Sequence, residues 1–187
     1  MSTSKTLVDK YLESNKKRYP CGTFVPFNCV QSIFNKKDMN RRKSTQMVIL
    51  HCSATPEGRD VKASTIKQWH LQRGFSDIGY HYVIDLDGTI EKGRDEALAG
   101  AHCTGKNAIS IGICYVGGYD KKMKPKDTRT PEQIESLYQI VDKMLAKYKL
   151  TISNVFAHHD FNPKKACPCF DINEFRKNYL KWKDANM

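Results

Sequence analysis

Residues 47–51, MVILH, set the reading of the whole chain. Met47, Val48, Ile49 and Leu50 are an unbroken apolar run, the pattern of a strand buried on both faces. Strands of that kind sit inside helix-covered sheets, so the run predicts an α/β (α+β) fold. His51 falls where the run stops. That is the mouth of the sheet, where such folds commonly place their chemistry.

Downstream, Ser64 or Thr65 offers a cap for a helix reaching about Arg73, with Gly74 as its stop. Residues 79–86 (GYHYVIDL) predict a strand, Asp87-Gly88 a turn and residues 89–92 the return strand. Alternation would put Tyr80 and Tyr82 on one face and His81 and Val83 on the other. Residues 110–116 (SIGICYV) predict a second buried strand. Thr130-Pro131-Glu132-Gln133 combines a cap, a first-turn proline and a capping-box Gln. A long amphipathic helix follows through Ile134, Leu137, Val141, Met144, Leu145 and Tyr148. Residues 154–157 (NVFA) predict a short strand that delivers His158. Asp171 and Glu174 open a C-terminal helix. The expected architecture is a central mixed sheet flanked by about three helices.

Upstream the character changes. Net charge is +11 over 187 residues, and residues 1–46 hold ten basic and three acidic side chains. Leu7, Val8, Tyr11 and Leu12 have the spacing of a short amphipathic helix. The aromatics Tyr19, Phe24, Phe27 and Phe34 predict that part of this segment docks on the domain. Residues 35–45 (NKKDMNRRKST) read as an exposed linker or loop, which sets the domains at 1–46, a basic extension, and 47–187. A basic arm suits polyanions such as nucleic acid, anionic lipid or an anionic wall polymer, or is simply a solvated face.

No apolar run approaches the length of a membrane span, and the first residues lack a secretory pattern. Synthesis in the cytoplasm is expected. Seven cysteines, an odd count, argue against a complete disulfide framework.

The chemistry concentrates in residues 157–170, AHHDFNPKKACPCF. His158, His159, Cys167 and Cys169 are donors that zinc prefers, and the lysines Lys164 and Lys165 could steady a developing negative charge. HEXXH and CXXC pairs are absent, so only the fold can bring these donors to His51.

The motif order resembles the type 2 N-acetylmuramoyl-L-alanine amidases. It runs LHCSAT, QWH, GYHYVIDLDGTIEKGRDE, GAHCTGKNAISIGICYVGG, AHHDFNPKKACPCFD. The likeness spans about residues 47–180; it is greatest to the small phage enzymes called lysozymes and more distant to the peptidoglycan recognition proteins. The resemblance implies Zn2+ held by His51, His158 and Cys167, with catalysis by Tyr80 and Lys165. His102 would line the substrate groove. Cys169 departs from the familiar pattern and leaves open which thiol binds. The implied reaction is zinc-dependent hydrolysis of the amide between N-acetylmuramic acid and L-alanine in peptidoglycan, by a monomer released to the wall as a phage lysin or secreted effector. The alternative is a non-catalytic peptidoglycan-binding module, or a regulatory binder of polymerase or nucleic acid acting through residues 1–46.

Overall fold

A computed structural model describes residues 40–186. The helix expected around Leu7–Leu12 and the docking aromatics lie outside the described residues. Five strands form a mixed sheet in the order β4-β3-β5-β1-β7. These are β1 (Met47–Cys52), β3 (Tyr82–Ile84), β4 (Ile90–Lys92), β5 (Ser110–Tyr115) and β7 (Val155–Ala157). β1 runs parallel to both β5 and β7, β3 is parallel to β5, and β4 closes one edge antiparallel. A separate parallel pair joins β2 (Thr55–Pro56) to β6 (Gly118–Tyr119). The described residues hold three α-helices: α1 (Ala63–Gln72), α2 (Pro131–Tyr148) and α3 (Ile172–Ala185).

Register divides the core by parity. Cys52 pairs with Tyr115, and Tyr115 with Ile84. That face carries Val48, Leu50, Ile111, Ile113 and Tyr82 into the larger cluster, against Leu137, Val141 and Met144 of α2 and Phe175 and Tyr179 of α3. His51 pairs with Cys114, and Cys114 with Val83. This second face meets a smaller cluster that includes Val83, Ile78 and Ile66 of α1. His51 and Tyr80 belong to this side.

Local signals explain α2 well. Thr130 Oγ1 accepts from the Gln133 backbone N–H, and the Gln133 side chain answers the Thr130 N–H, completing the capping box. The same buried Gln133 amide donates to the carbonyls of Ile84 (3.2 Å) and Val116 (2.9 Å), tying the start of the helix to the ends of β3 and β5. α3 begins as its sequence predicts, with the Asp171 carboxylate accepting from the N–H groups of Asn173 and Glu174.

Three expectations are corrected. The cap of α1 is neither Ser64 nor Thr65. The helix starts at Ala63, and its first N–H donates to the carboxylate of Glu91 on β4. The strand at 79–86 is regular only over Tyr82–Ile84, so alternation does not extend back to Tyr80. Tyr82 joins the larger cluster while Tyr80 packs with the smaller one. Residues 40–46 are mostly exposed, as expected, but as a loop tied to the domain rather than a linker. Ala99 N–H donates to Asn40, and Arg42, Lys43 and Gln46 donate to Ala97, Ala108 and Ile109. The Arg42 guanidinium also donates to the Glu96 carbonyl (2.8 Å) and the Tyr148 hydroxyl (2.9 Å).

Candidate metal centre

The position of His51 follows from the parallel register. Leu50 sits opposite Ala157, the last residue of β7, so the next residue on each strand, His51 and His158, emerge side by side. Their ring centroids lie 4.6 Å apart. His158 opens a 3₁₀ turn (His158–Asp160), whose Asp160 carboxylate accepts from the Ala157 N–H and fixes the bend. The chain then returns so that the Cys167 carbonyl accepts from the His159 N–H (3.0 Å). This brings Cys167 Sγ to 3.7 Å from His51 Nδ1.

His51, His158 and Cys167 each offer one donor atom, and all three lie within 4.8 Å of one another. A tetrahedral zinc with bonds of about 2.1 Å to nitrogen and 2.3 Å to sulfur has an N···S edge of about 3.6 Å. The His51–Cys167 separation matches that edge. The donor chemistry, two imidazoles and a thiol, fits the metal and leaves one tetrahedral position open. The Cys52 backbone N–H donates to Cys167 Sγ (3.2 Å) and helps hold the sulfur in place.

The other donors of the 157–170 stretch do not join. His159 lies near Asp160 (3.8 Å) and the Ala166 carbonyl (3.5 Å). Cys169 turns toward Cys52, with the sulfurs 3.7 Å apart. Cys52, Cys103 and Cys114 are buried. His70 and His81 are structural: their Nδ1 atoms accept from the N–H groups of Gly79 (2.8 Å) and Gly112 (2.9 Å).

Around the donors stand the remaining residues singled out in the sequence. Tyr80 has its ring 5.2 Å from that of His51. Burial holds its hydroxyl well above the ordinary tyrosine pKa, so it stays protonated and able to donate. Burial, with the ammonium of Lys165 second, lowers the His158 pKa, keeping that imidazole neutral. Lys165 and His158 share a cavity of about 360 Å³ with Phe75, Phe161, Asn162 and His102. The sequence expectation for His102 is substrate contact. It lines this cavity, yet its two ring nitrogens face His51 and Ser110, at 3.0 and 3.4 Å.

Comparison with known proteins gives this geometry its context. The family model described as N-acetylmuramoyl-L-alanine amidase matches residues 41–170. The chain belongs to the N-acetylmuramoyl-L-alanine amidase family. The amidase is 43% identical over 150 residues to the endolysin of Enterobacteria phage T3, covering 80% of this chain and 97% of that one. It is 30% identical over 120 residues to peptidoglycan-recognition protein SC2 of Drosophila melanogaster, covering 63% of this chain and 62% of the other. Among solved structures it is similar to the amidase LysC from Clostridium intestinale URNW, with 30% identity and a TM-score of 0.62. That likeness covers 72% of this chain and 84% of LysC. The reaction of the amidase is hydrolysis of the bond that joins N-acetylmuramic acid to L-alanine in peptidoglycan.

Phe75, Phe161 and Asn162, which line the cavity, were not legible as site residues. Phe75 follows the helix stop at Gly74, while Phe161 and Asn162 lie inside the donor stretch with no metal-binding chemistry to mark them.

Proposed function

We propose that the amidase is zinc-dependent, with His51, His158 and Cys167 as ligands and Tyr80 and Lys165 as its catalytic side chains. The observation that carries this reading is the convergence of two imidazoles and one thiol within 4.8 Å, from chain positions up to 116 residues apart, with one of them, His158, lining a cavity that Lys165 also lines. Zinc, when bound, would supply Lewis acidity toward water and the scissile carbonyl.

The protein's own groups account for the rest. Water adds to the lactyl carbonyl, the C–N bond breaks, and the products are a lactyl carboxylate and the free amine of L-alanine. The Lys165 ammonium, which lines the same cavity as His158, would stabilise negative charge on the carbonyl oxygen. The Tyr80 hydroxyl, kept protonated by burial, donates a hydrogen bond to that oxygen or a proton to the departing amine. Phe75 and Phe161 give the cavity apolar surface for the sugar and peptide, and His158 lines it with them.

Peptidoglycan lies outside the membrane, and no helix among the described residues is long and apolar enough to cross one. We place the action of this protein at the wall after release from the cytoplasm where it is made. The basic residues of 1–46 add attraction to anionic wall polymers or nucleic acid. The deciding experiment is digestion of purified peptidoglycan with and without a chelator. New N-terminal alanine should appear only without the chelator, and its absence in both samples overturns the reading.

A further inference from the structure

We infer that His102 is the positioning residue of the metal centre: it fixes which ring nitrogen of His51 is bare and faces the metal. The inference rests on the zinc reading above.

The argument begins at Ser110, the first residue of β5. Its hydroxyl has one proton, and that proton goes to the Lys106 carbonyl oxygen at 2.8 Å, which can only accept. Toward His102 Nε2, at 3.4 Å, the serine oxygen is therefore the acceptor, so Nε2 carries a hydrogen. The opposite nitrogen, His102 Nδ1, lies 3.0 Å from His51 Nε2. Only one proton fits between two nitrogens at that distance. If His102 held it, His51 Nε2 would be the bare nitrogen, and His51 Nδ1 would present a proton toward Cys167. With His51 Nε2 as the donor, Nδ1 keeps its lone pair, and Nδ1 is the atom 3.7 Å from Cys167 Sγ. Ligand histidines are commonly fixed through the nitrogen that does not bind the metal. Here the partner is a second imidazole.

The surroundings are shaped for that imidazole. His102 is 8% exposed and His51 is 1% exposed. A Cβ on Gly112 would lie 2.5 Å from His102 Cδ2, and one on Gly100 would also collide with the ring. The ring thus sits in a slot that two missing side chains open. Asn107 Oδ1 accepts from the backbone N–H groups of His102 and Cys103, both at 2.9 Å, and holds the loop that presents it. With Nδ1 engaged by His51 and Nε2 by Ser110, neither ring nitrogen is left for substrate.

The test compares His102→Asn, His102→Gln and His102→Ala in the full chain. Asn places an amide oxygen near the position of Nδ1, where it can accept from His51 Nε2. Gln carries the same group one methylene further, and Ala carries none. Zinc dissociation constants are measured by chelator competition, with urea unfolding of each apo variant as the check on folding. Asn should stay within about threefold of the native protein, while Gln and Ala should bind about 10–100-fold more weakly. In nitrogen-15 spectra of the zinc-loaded native protein, His51 should carry its proton on Nε2. Native affinity in the folded Gln and Ala variants, an Asn variant as weak as Ala, or a proton on His51 Nδ1 would each overturn the inference. If the native protein itself binds no zinc, the metal reading falls and takes this inference with it. If it binds zinc and all three variants match it, the inference alone falls.

Discussion

His81 makes acid lability a quantitative test of the fold. It lies 1% exposed, and burial lowers its pKa to about 4, with the guanidinium groups of Arg42 and Arg94 acting in the same direction. The Leu98 carbonyl and the Glu96 carboxylate pull the other way and do not prevail. Its hydrogen bonds agree: Nδ1 accepts from Gly112 N–H (2.9 Å), so Nε2 must donate to the Leu98 carbonyl (3.0 Å). A second proton would have to sit on Nδ1, facing another N–H. The unfolded chain takes up that proton near pH 6.5, the folded chain only near 4. The stability from this residue is therefore complete above about pH 6.5 and is drawn down as pH falls from 6.5 toward 4. At roughly 1.4 kcal/mol per pH unit, it loses about 2–3 kcal/mol between pH 7.5 and 4.5. His81→Asn keeps an acceptor for Gly112 N–H and removes the titrating group. Urea unfolding of the metal-free native and variant proteins at both pH values isolates the difference, because the other histidines contribute to both. The variant should lose about 2–3 kcal/mol less than the native protein on acidification. Equal losses would mean that His81 is not held neutral, and the argument would fail.

Other expectations can be measured alongside. Cys167→Ser should abolish stoichiometric zinc binding while Cys169→Ser retains it; zinc at full stoichiometry in Cys167→Ser would reject the ligand assignment. Tyr80→Phe and Lys165→Met should lower kcat by about 10²–10⁴ with zinc content unchanged, and metal loss in either would show a structural role instead. Gln133→Leu strips hydrogen bonds from the Ile84 and Val116 carbonyls and breaks the capping box, so urea unfolding should show about 2–3 kcal/mol of lost stability.

What the sequence shows depends on how local each determinant is. β1, β5 and α2 could be read directly because an apolar run or a capping box is complete within a few residues. The start of α1 could not, since its cap comes from Glu91, 28 residues away on another strand. Tyr80 was assigned to the wrong face because the pleat begins only at Tyr82. Residues 40–46 look like a linker by composition, and what holds them is backbone pairing with residues 97–109. At the site, spacing alone left five donors open, and family likeness selected three. The fold gathers those three through the Leu50–Ala157 register and the turn after His158. The Ser110–His102–His51 chain had no signal in sequence, because tautomers are set by three-dimensional partners.

The separation of the donors along the chain has a consequence for biogenesis. His51 and Cys167 stand 116 residues apart, and β7, which presents His158, docks on β1 beside the first donor. During synthesis His51 emerges long before His158 and Cys167, so for most of that time the nascent chain carries only one of the three proposed ligands. Only when Cys167 has left the ribosome and β7 has docked can three donors converge. On the proposed zinc reading, metal occupancy would report completed tertiary closure, and a hydrolase built this way would stay inert until nearly all of the described domain has been translated and folded.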